Sequence, residues 1–341
     1  MPNAIELAKA YVPLLDEVYQ MASVTSVLDG ASELMQPGAN ANEIVIPKIS
    51  MDGLGDYSRN SGYVNGDVTL TNETVRCNFD RGRMFNVDVM DDLESAGIAF
   101  GRLSGEFIRT KVAPEIDAFR FATYCGILGI GSDSGDLTTG ANIITALRKA
   151  AQAMDNAEVP ADQRYLFLTP YLHGLIQDMD TTKSRAVISE FAGVIKVPQT
   201  RFYTAIEQRD GSSDGQTSGG YTKRTTATYA VTTSQPADWS TNYTSYYTKS
   251  GSSYTAVTGN SAPSWAAATY YRKTADAAKN LNFMVIHKPA VIQFEKHVAP
   301  KIITPEQNQS ADGYKFGYRN VGIADAYENK AAGIYIHYAT A

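Results

Sequence analysis

Two stretches of alternating apolar and polar residues, joined by a tip too polar to bury, constrain this chain more than any other feature. The outgoing stretch opens as Glu43-Ile44-Val45-Ile46-Pro47-Lys48-Ile49, and the returning one covers residues 68–79, where Val75, Cys77 and Phe79 alternate. Period-two alternation predicts strands with one covered face. The tip between them, residues 52–67, contains Gly53, Gly55, Gly62 and Gly66, with only Leu54, Tyr57, Tyr63 and Val64 as apolar cover. A lone two-stranded unit of this kind has no core of its own, so it must rest on another surface or stay mobile.

A long helix is predicted directly after it. Asp91 and Glu94 have the spacing of a capping box. Phe100, Leu103 and Phe107 form one apolar stripe; Pro114 interrupts the pattern, and Ile116, Phe119 and Tyr124 resume it before Gly126. At 1.5 Å per residue, residues 91–126 would reach about 50 Å, longer than the core of a small domain requires. A helix of that length serves as a spine. Asp88, Asp91 and Asp92 lie at its start, where the helix dipole stabilises negative charge, so capping explains them better than catalysis does.

Elsewhere the patterning predicts an amphipathic N-terminal helix capped by Asn3, a helix over 142–154, a strand over 164–169 and a helix opening at Pro170. A strand over 193–198 and further elements over 282–298 and 314–338 complete the order. In this order, with an Asp80-Arg81-Gly82-Arg83 turn leading toward the spine, the chain resembles the major capsid protein of tailed bacteriophages, with the Hong Kong 97-type fold. The resemblance implies an α+β fold: an N-terminal arm (1–42), an extended loop with peripheral-domain strands (43–90), and a spine helix (91–126). An axial domain (127–208 and 281–325) and a C-terminal strand (326–341) would follow. It also implies a non-enzymatic coat protein without cofactors, forming the hexamers and pentamers of an icosahedral head that encloses double-stranded DNA without reading its sequence. Scaffolding, portal and decoration proteins are the implied partners, and the virion, assembled in the host bacterial cytoplasm, is the implied location. An encapsulin-type nanocompartment shell is the alternative within the same fold.

Composition fits that reading. A net charge of −6 and a pI near 5.3 provide no basic stripe of the kind a dedicated nucleic-acid binder uses to neutralise phosphates. Two cysteines, Cys77 and Cys125, do not make a disulfide framework. The N-terminal apolar residues are interrupted by Glu6, Lys9, Asp16 and Glu17, so neither a signal peptide nor a membrane span is expected there.

Residues 209–280 stand apart. They contain no Leu, Ile, Met, Phe, Cys, His or Glu, yet hold both tryptophans, Trp239 and Trp265. Residues 210–220 read as a Gly, Ser and Asp linker, and the rest as an inserted all-β module. A weak repeat places Trp239 before Tyr246-Tyr247 and Trp265 before Tyr270-Tyr271. These six aromatic residues are either a surface for a ligand such as a glycan or the core of a module that lacks aliphatics. The first alternative would make the chain a glycan-binding surface protein.

Enzymatic motifs were sought against this background. His173, His287, His297 and His337 lack the spacing of a metal site. The glycines from Gly126 to Gly135 miss the dinucleotide fingerprint, and Asp133 stands where a nucleophile elbow needs serine, so Gly131-Ser132-Asp133-Ser134-Gly135 is expected to be a loop. Around the extended loop, Arg59, Arg76, Arg81 and Arg83 alternate with Asp52, Asp56, Asp67 and Asp80. In a shell Leu54, Tyr57, Arg59, Tyr63, Arg81 and Arg83 are the expected subunit-interface residues; a solvated hairpin face is the alternative for the charged ones.

Overall fold

The structure is a computed structural model that describes residues 23–30, 36–37, 43–57, 59–60, 62–89, 104–179, 181–232, 246–251, 253–257, 270–309 and 312–340. The expected N-terminal helix, the Asp91 and Glu94 cap, Phe100, Leu103, Trp239 and Trp265 lie outside the described residues.

The alternating segments form a hairpin. Strand β1 (Gln36–Pro37) edges β2 (Glu43–Met51), which pairs antiparallel with β3 (Val68–Arg76) over its whole length, from Glu43 opposite Arg76 to Met51 opposite Val68. Nine residues at about 3.3 Å each carry the tip roughly 30 Å from the root. After Cys77 and Asn78 the chain enters β4 (Phe79–Asp88), which pairs with β16 (Gly313–Ala326), itself paired with β15 (Val291–Ile303). The expected Asp-Arg-Gly-Arg turn is thus continuous strand. Gly82 is required by close approach, since a Cβ there would stand 2.8 Å from the Tyr318 carbonyl oxygen.

The spine is helical from Ser104 to Cys125, about 33 Å by its rise per residue. Pro114 does not break it. A π-helical turn, Ile108–Val112, precedes α1 (Ala113–Cys125). Proline has no N–H to donate, and its ring presses on the carbonyl four residues back in a regular helix; the wider turn absorbs that misfit. Ile108, Val112 and Ile116 pack with Phe79, Phe316 and Tyr318 of the three-stranded sheet.

The C-terminal half of α1 packs on a second sheet. Its strands are β5 (Gly131–Ser134), β6 (Arg164–Leu168), β7 (Gly193–Lys196), β14 (Leu281–His287) and β17 (Ile334–Tyr338), in the order β5-β17-β14-β6-β7. Central β14 is buried on both faces, which explains its unbroken apolar run. Phe283 and Val285 face the cluster formed by Ile143, Leu147 and Leu172, whereas Met284 and Ile286 face Phe121 and Tyr124. The former cluster is covered by α2 (Gly140–Asn156), capped by Thr139 Oγ1 accepting from Asn142 N, by α3 (Pro170–Met179) and by α4 (Thr182–Ser189), which opens with a Thr181/Ser184 capping box.

Three sequence expectations change here. Residues 291–325, grouped with the axial unit, belong instead to the sheet of β4, where β16 pairs with both β4 and β15; residues 334–338, set apart as a terminal strand, lie inside the five-stranded sheet. Gly131–Ser134 is an edge strand parallel to β17, not a loop.

Residues 209–280 divide into two parts. Strands β8 (Ile206–Gln208) and β9 (Tyr221–Lys223) form a short hairpin whose turn is the expected linker. Beyond it, β10 (Thr228–Thr232), β11 (Tyr246–Ser250), β12 (Ser253–Ala256) and β13 (Tyr270–Ala275) make an antiparallel sheet in the order β10-β13-β11-β12.

Candidate assembly surface

Cross-strand register decides which residues share a face of the hairpin. Ile49 lies opposite Leu70, and Met51 opposite Val68. These four therefore form one apolar stripe, and they are 63%, 65%, 70% and 71% exposed. The stripe runs into the tip, where Leu54, Tyr57, Tyr63 and Val64 are all exposed and the Tyr57 and Tyr63 rings meet at 4.9 Å. Asp52 braces the tip, its carboxylate accepting from Asp67 N at 2.9 Å. Contiguous apolar surface of this kind marks a place where another molecule binds.

At the root the hairpin is buried. Val75 packs with Ile292, Phe294 and Ile323. Asn78, in the gap between β3 and β4, continues the pairing with its side chain: Nδ2 donates to Ala324 O at 2.7 Å, and Oδ1 accepts from Ala324 N at 3.1 Å.

The expected interface residues separate into two groups. Leu54, Tyr57, Arg59 and Tyr63 are at the exposed tip. Arg81 and Arg83 lie on β4 and are used within the chain. Arg81 pairs with Glu115 at 2.8 Å and donates to Gly220 O; Arg83 donates to Thr217 O at 2.9 Å. Arg83 fits between Gly211 and Gly219, both at positive φ; a Cβ at Gly211 would come within 2.8 Å of its Nη1. Only glycine combines that backbone with that space. Burial raises the Glu115 carboxyl above its usual range, with Arg81 opposing the shift. Reading charge alternation alone missed these partners because Glu115 is 34 residues away and Thr217 and Gly220 more than a hundred. It also passed over Ile49, Met51, Val68 and Leu70, whose period-two spacing marked one face.

A groove of about 1290 Å³ opens where β4, the spine helix and the β8–β9 hairpin meet. Phe79, Phe85 and Phe107 line its apolar part, with the Phe85 and Phe107 rings edge to face at 4.8 Å. Tyr221 is another lining residue; burial pushes its phenol up to about 12, and it donates to Thr200 O.

Of the six aromatic residues of 209–280 read as either a ligand surface or a core, Tyr246 and Tyr270 are buried, packed with Val257 inside the four-stranded sheet. They belong to a core, because without aliphatic residues the rings must supply the buried apolar area. Tyr247 and Tyr271 are on the opposite face among Tyr229 and Tyr254, which stack at 3.8 Å. Trp239 and Trp265 are the two outside the described residues.

Among the described residues, no group of three or more His, Cys, Asp or Glu side chains could hold a metal ion, and no helix is long and apolar enough to cross a membrane.

No family model and no curated protein sequence matches the chain. Solved structures do. A chain from the structure of the head fiber and inner core protein gp22 of native bacteriophage P68 superposes with a TM-score of 0.50 at 9% identity, over 93% of this chain and 84% of that one. The chain shares its fold with that phage structure. The capsid of cyanophage P-SCSP1u is matched with a TM-score of 0.49 at 10% identity, over 89% of this chain and 85% of that one. A virus-like particle from Pyrococcus furiosus is matched at 0.48 and 9%, over 94% and 98%. At these identities the likeness concerns the fold alone.

Proposed function

We propose that this chain is the repeating coat subunit of a phage head. One observation carries the reading: the hairpin exposes Ile49, Met51, Val68 and Leu70 on one face, continuous with Leu54 and Tyr63, at the end of an arm that its own subunit covers only at the root. Burying each such side chain contributes about 1.5–3 kcal/mol, offset by the ordering that association requires. Weak contacts repeated under closed symmetry add up to a stable shell. Hexamers and pentamers around double-stranded DNA, with scaffolding, portal and decoration proteins supplied separately, are the assembly this reading entails, and the virion is its location.

The segment 209–280 enters the proposal as an insertion that leaves the shell's own contacts intact and projects from its outer side. Its two ends are held together near the body, where Ala278 N donates to Arg224 O at 2.8 Å and Tyr203 bridges Asn280.

The test is electron microscopy and light scattering of the purified chain, alone and with the structural proteins encoded beside it. Closed shells or capsomers are expected. A monomer at high concentration under every such condition overturns the proposal. Shells that form around a cargo enzyme, from a chain with no neighbouring phage genes, would identify the nanocompartment alternative instead. Shortening 52–67 to a tight turn should leave the circular dichroism spectrum nearly unchanged and abolish closure. Loss of both together would mean that the tip supports its own subunit.

A further inference from the structure

The segment that holds β10–β13 differs in charge from the rest of the chain. Residues 221–280 carry Lys223, Arg224, Lys249, Arg272, Lys273 and Lys279 against only Asp238 and Asp276, a net of +4 in a chain whose net charge is −6. Such a segment attracts anions that the remainder repels.

Cross-strand register places four of its tyrosines on one face. Tyr247 of β11 lies opposite Tyr271 of β13, and Tyr254 of β12 opposite Lys249 of β11; Tyr229 and Val231 of β10 lie opposite Lys273 and Tyr271. The strands β10 and β12 are the two outer ones, yet the rings of Tyr229 and Tyr254 stack with centroids 3.8 Å apart and planes 8° from parallel. The sheet therefore curls toward this face. Tyr247 meets Tyr229 edge to face at 5.0 Å, and Tyr271 meets Tyr254 in the same way at 5.3 Å. All four tyrosines are half-buried, whereas Val231 beside them is exposed.

Two kinds of polar group remain open there. Among the described residues none of the four phenol hydroxyls has a hydrogen-bond partner. Lys249 is exposed and lies over the Tyr254 and Tyr271 rings at 5.4 and 5.8 Å. Among the described residues no carboxylate pairs with it, whereas Lys273 on the same face is held by Asp276. A phenol hydroxyl both donates and accepts, as a sugar hydroxyl does, and an ammonium group forms its strongest hydrogen bonds with a carboxylate.

We infer that this face binds an acidic polysaccharide, one uronate carboxylate pairing with Lys249 while neighbouring sugar hydroxyls bond to the phenols of Tyr247, Tyr254 and Tyr271. Single-stranded nucleic acid is drawn to positive charge too, but it uses open aromatic faces as stacking platforms. Here Tyr229 and Tyr254 each have a ring face closed by their own stack, and the open groups are hydroxyls and an ammonium. The inference goes beyond the shell reading and does not rest on it, because it concerns the chain in any state of assembly.

The purified full chain is titrated with sodium polygalacturonate, with neutral dextran and with single-stranded oligothymidylate. Polygalacturonate should bind, and each of the other two should bind about tenfold more weakly or less. Tyr247→Phe with Tyr271→Phe keeps every ring and removes two hydroxyls, so affinity for polygalacturonate should fall about tenfold. Lys249→Gln should weaken it about fivefold and reduce its sensitivity to salt. Circular dichroism and limited proteolysis check folding, and Lys249→Gln, at an exposed position, keeps the test decisive if the phenylalanine pair disturbs the sheet.

Failure to bind polygalacturonate overturns the inference. So does binding that the phenylalanine pair, correctly folded, leaves unchanged, which is simple ion exchange on a basic surface, and so does dextran binding of equal strength. Oligothymidylate bound as tightly as polygalacturonate or more so assigns the face to nucleic acid and overturns it as well. Each of these outcomes leaves the shell reading standing, and a chain that never assembles leaves this inference to its own titration.

Discussion

Asp117, on the spine helix, meets Arg201, on the turn after β7, with a 3.0 Å contact between Oδ2 and Nη1, although the Asp117 side chain is wholly excluded from solvent. The same carboxylate accepts from Ser23 Oγ and Thr25 Oγ1 at 2.7 Å each and from the backbone N–H groups of Val24 and Thr25. One residue thus ties the segment before the arm and the loop after β7 to the middle of the spine. Replacing it with alanine leaves these donors and a mostly covered guanidinium without their acceptor. Asp117→Ala should therefore cost about 3–5 kcal/mol in denaturant unfolding, whereas Asp117→Asn, which keeps the shape and part of the bonding, should cost less. Equal stability of the alanine variant and the original chain would contradict this account.

Gly211 and Gly219 hold the β8–β9 turn against Arg83. Gly211→Ala adds a methyl both to a left-handed backbone and to the space of the guanidinium, so a loss of about 1–2 kcal/mol is expected. Limited proteolysis provides the more local measurement. The original chain should resist cleavage within 210–220, and Gly211→Ala should open that turn to protease while the five-stranded sheet stays protected.

Acid should loosen the five-stranded sheet through His337. Burial lowers its pKa below the ordinary 6.5, with Asp133 opposing and Lys149 assisting. The bond from Asn282 Nδ2 to its Nδ1 at 3.0 Å requires that ring nitrogen to be an acceptor, hence unprotonated. His287 is shifted the same way, again mainly by burial. A depressed histidine pKa means that the unfolded chain takes the proton first. Stability is therefore full above about pH 6.5 and declines as pH falls toward the folded-state pKa. Unfolding followed at a series of pH values should show that decline, with a shallower slope in His337→Gln.

Joining Arg224 to Ala278 by a few glycine and serine residues should remove β10–β13 without disturbing the body, because the two residues already share a 2.8 Å backbone bond. Assembly at the original concentration is expected, with the far-ultraviolet spectrum reduced only by the missing strands. A deletion that cannot fold would make the four-stranded sheet part of the subunit's core.

Local pattern was readable where a residue's surroundings lie close in the chain. The run Leu281–His287, the apolar stripe through Ile143, Leu147 and Met154, and the Thr139 cap each point to the element they form. The hairpin, with a covered root at Val75 and an uncovered tip, also followed from alternation alone. Partner choice did not. Period two marks which side of β15 and β16 is covered, yet the pairing of β16 with β4 spans more than two hundred residues and has no local signature. Gly82 looks like a turn residue until the Tyr318 carbonyl is beside it. Arg81 and Arg83 resembled contact residues for a neighbour because Glu115, Thr217 and Gly220 could not be placed near them from spacing.

The Asn78–Ala324 clasp gives the arm a mechanical character. Two bonds from one side chain, backed by Val75 among Ile292, Phe294 and Ile323, fasten a lever about 30 Å long near the C-terminal end of β16, whose two edges are bonded to β15 and β4. A push on Tyr63 is delivered as torque at Ala324, into a ribbon whose strands run for 13 and 14 residues. Whatever holds the tip thereby sets the tilt of the whole three-stranded sheet.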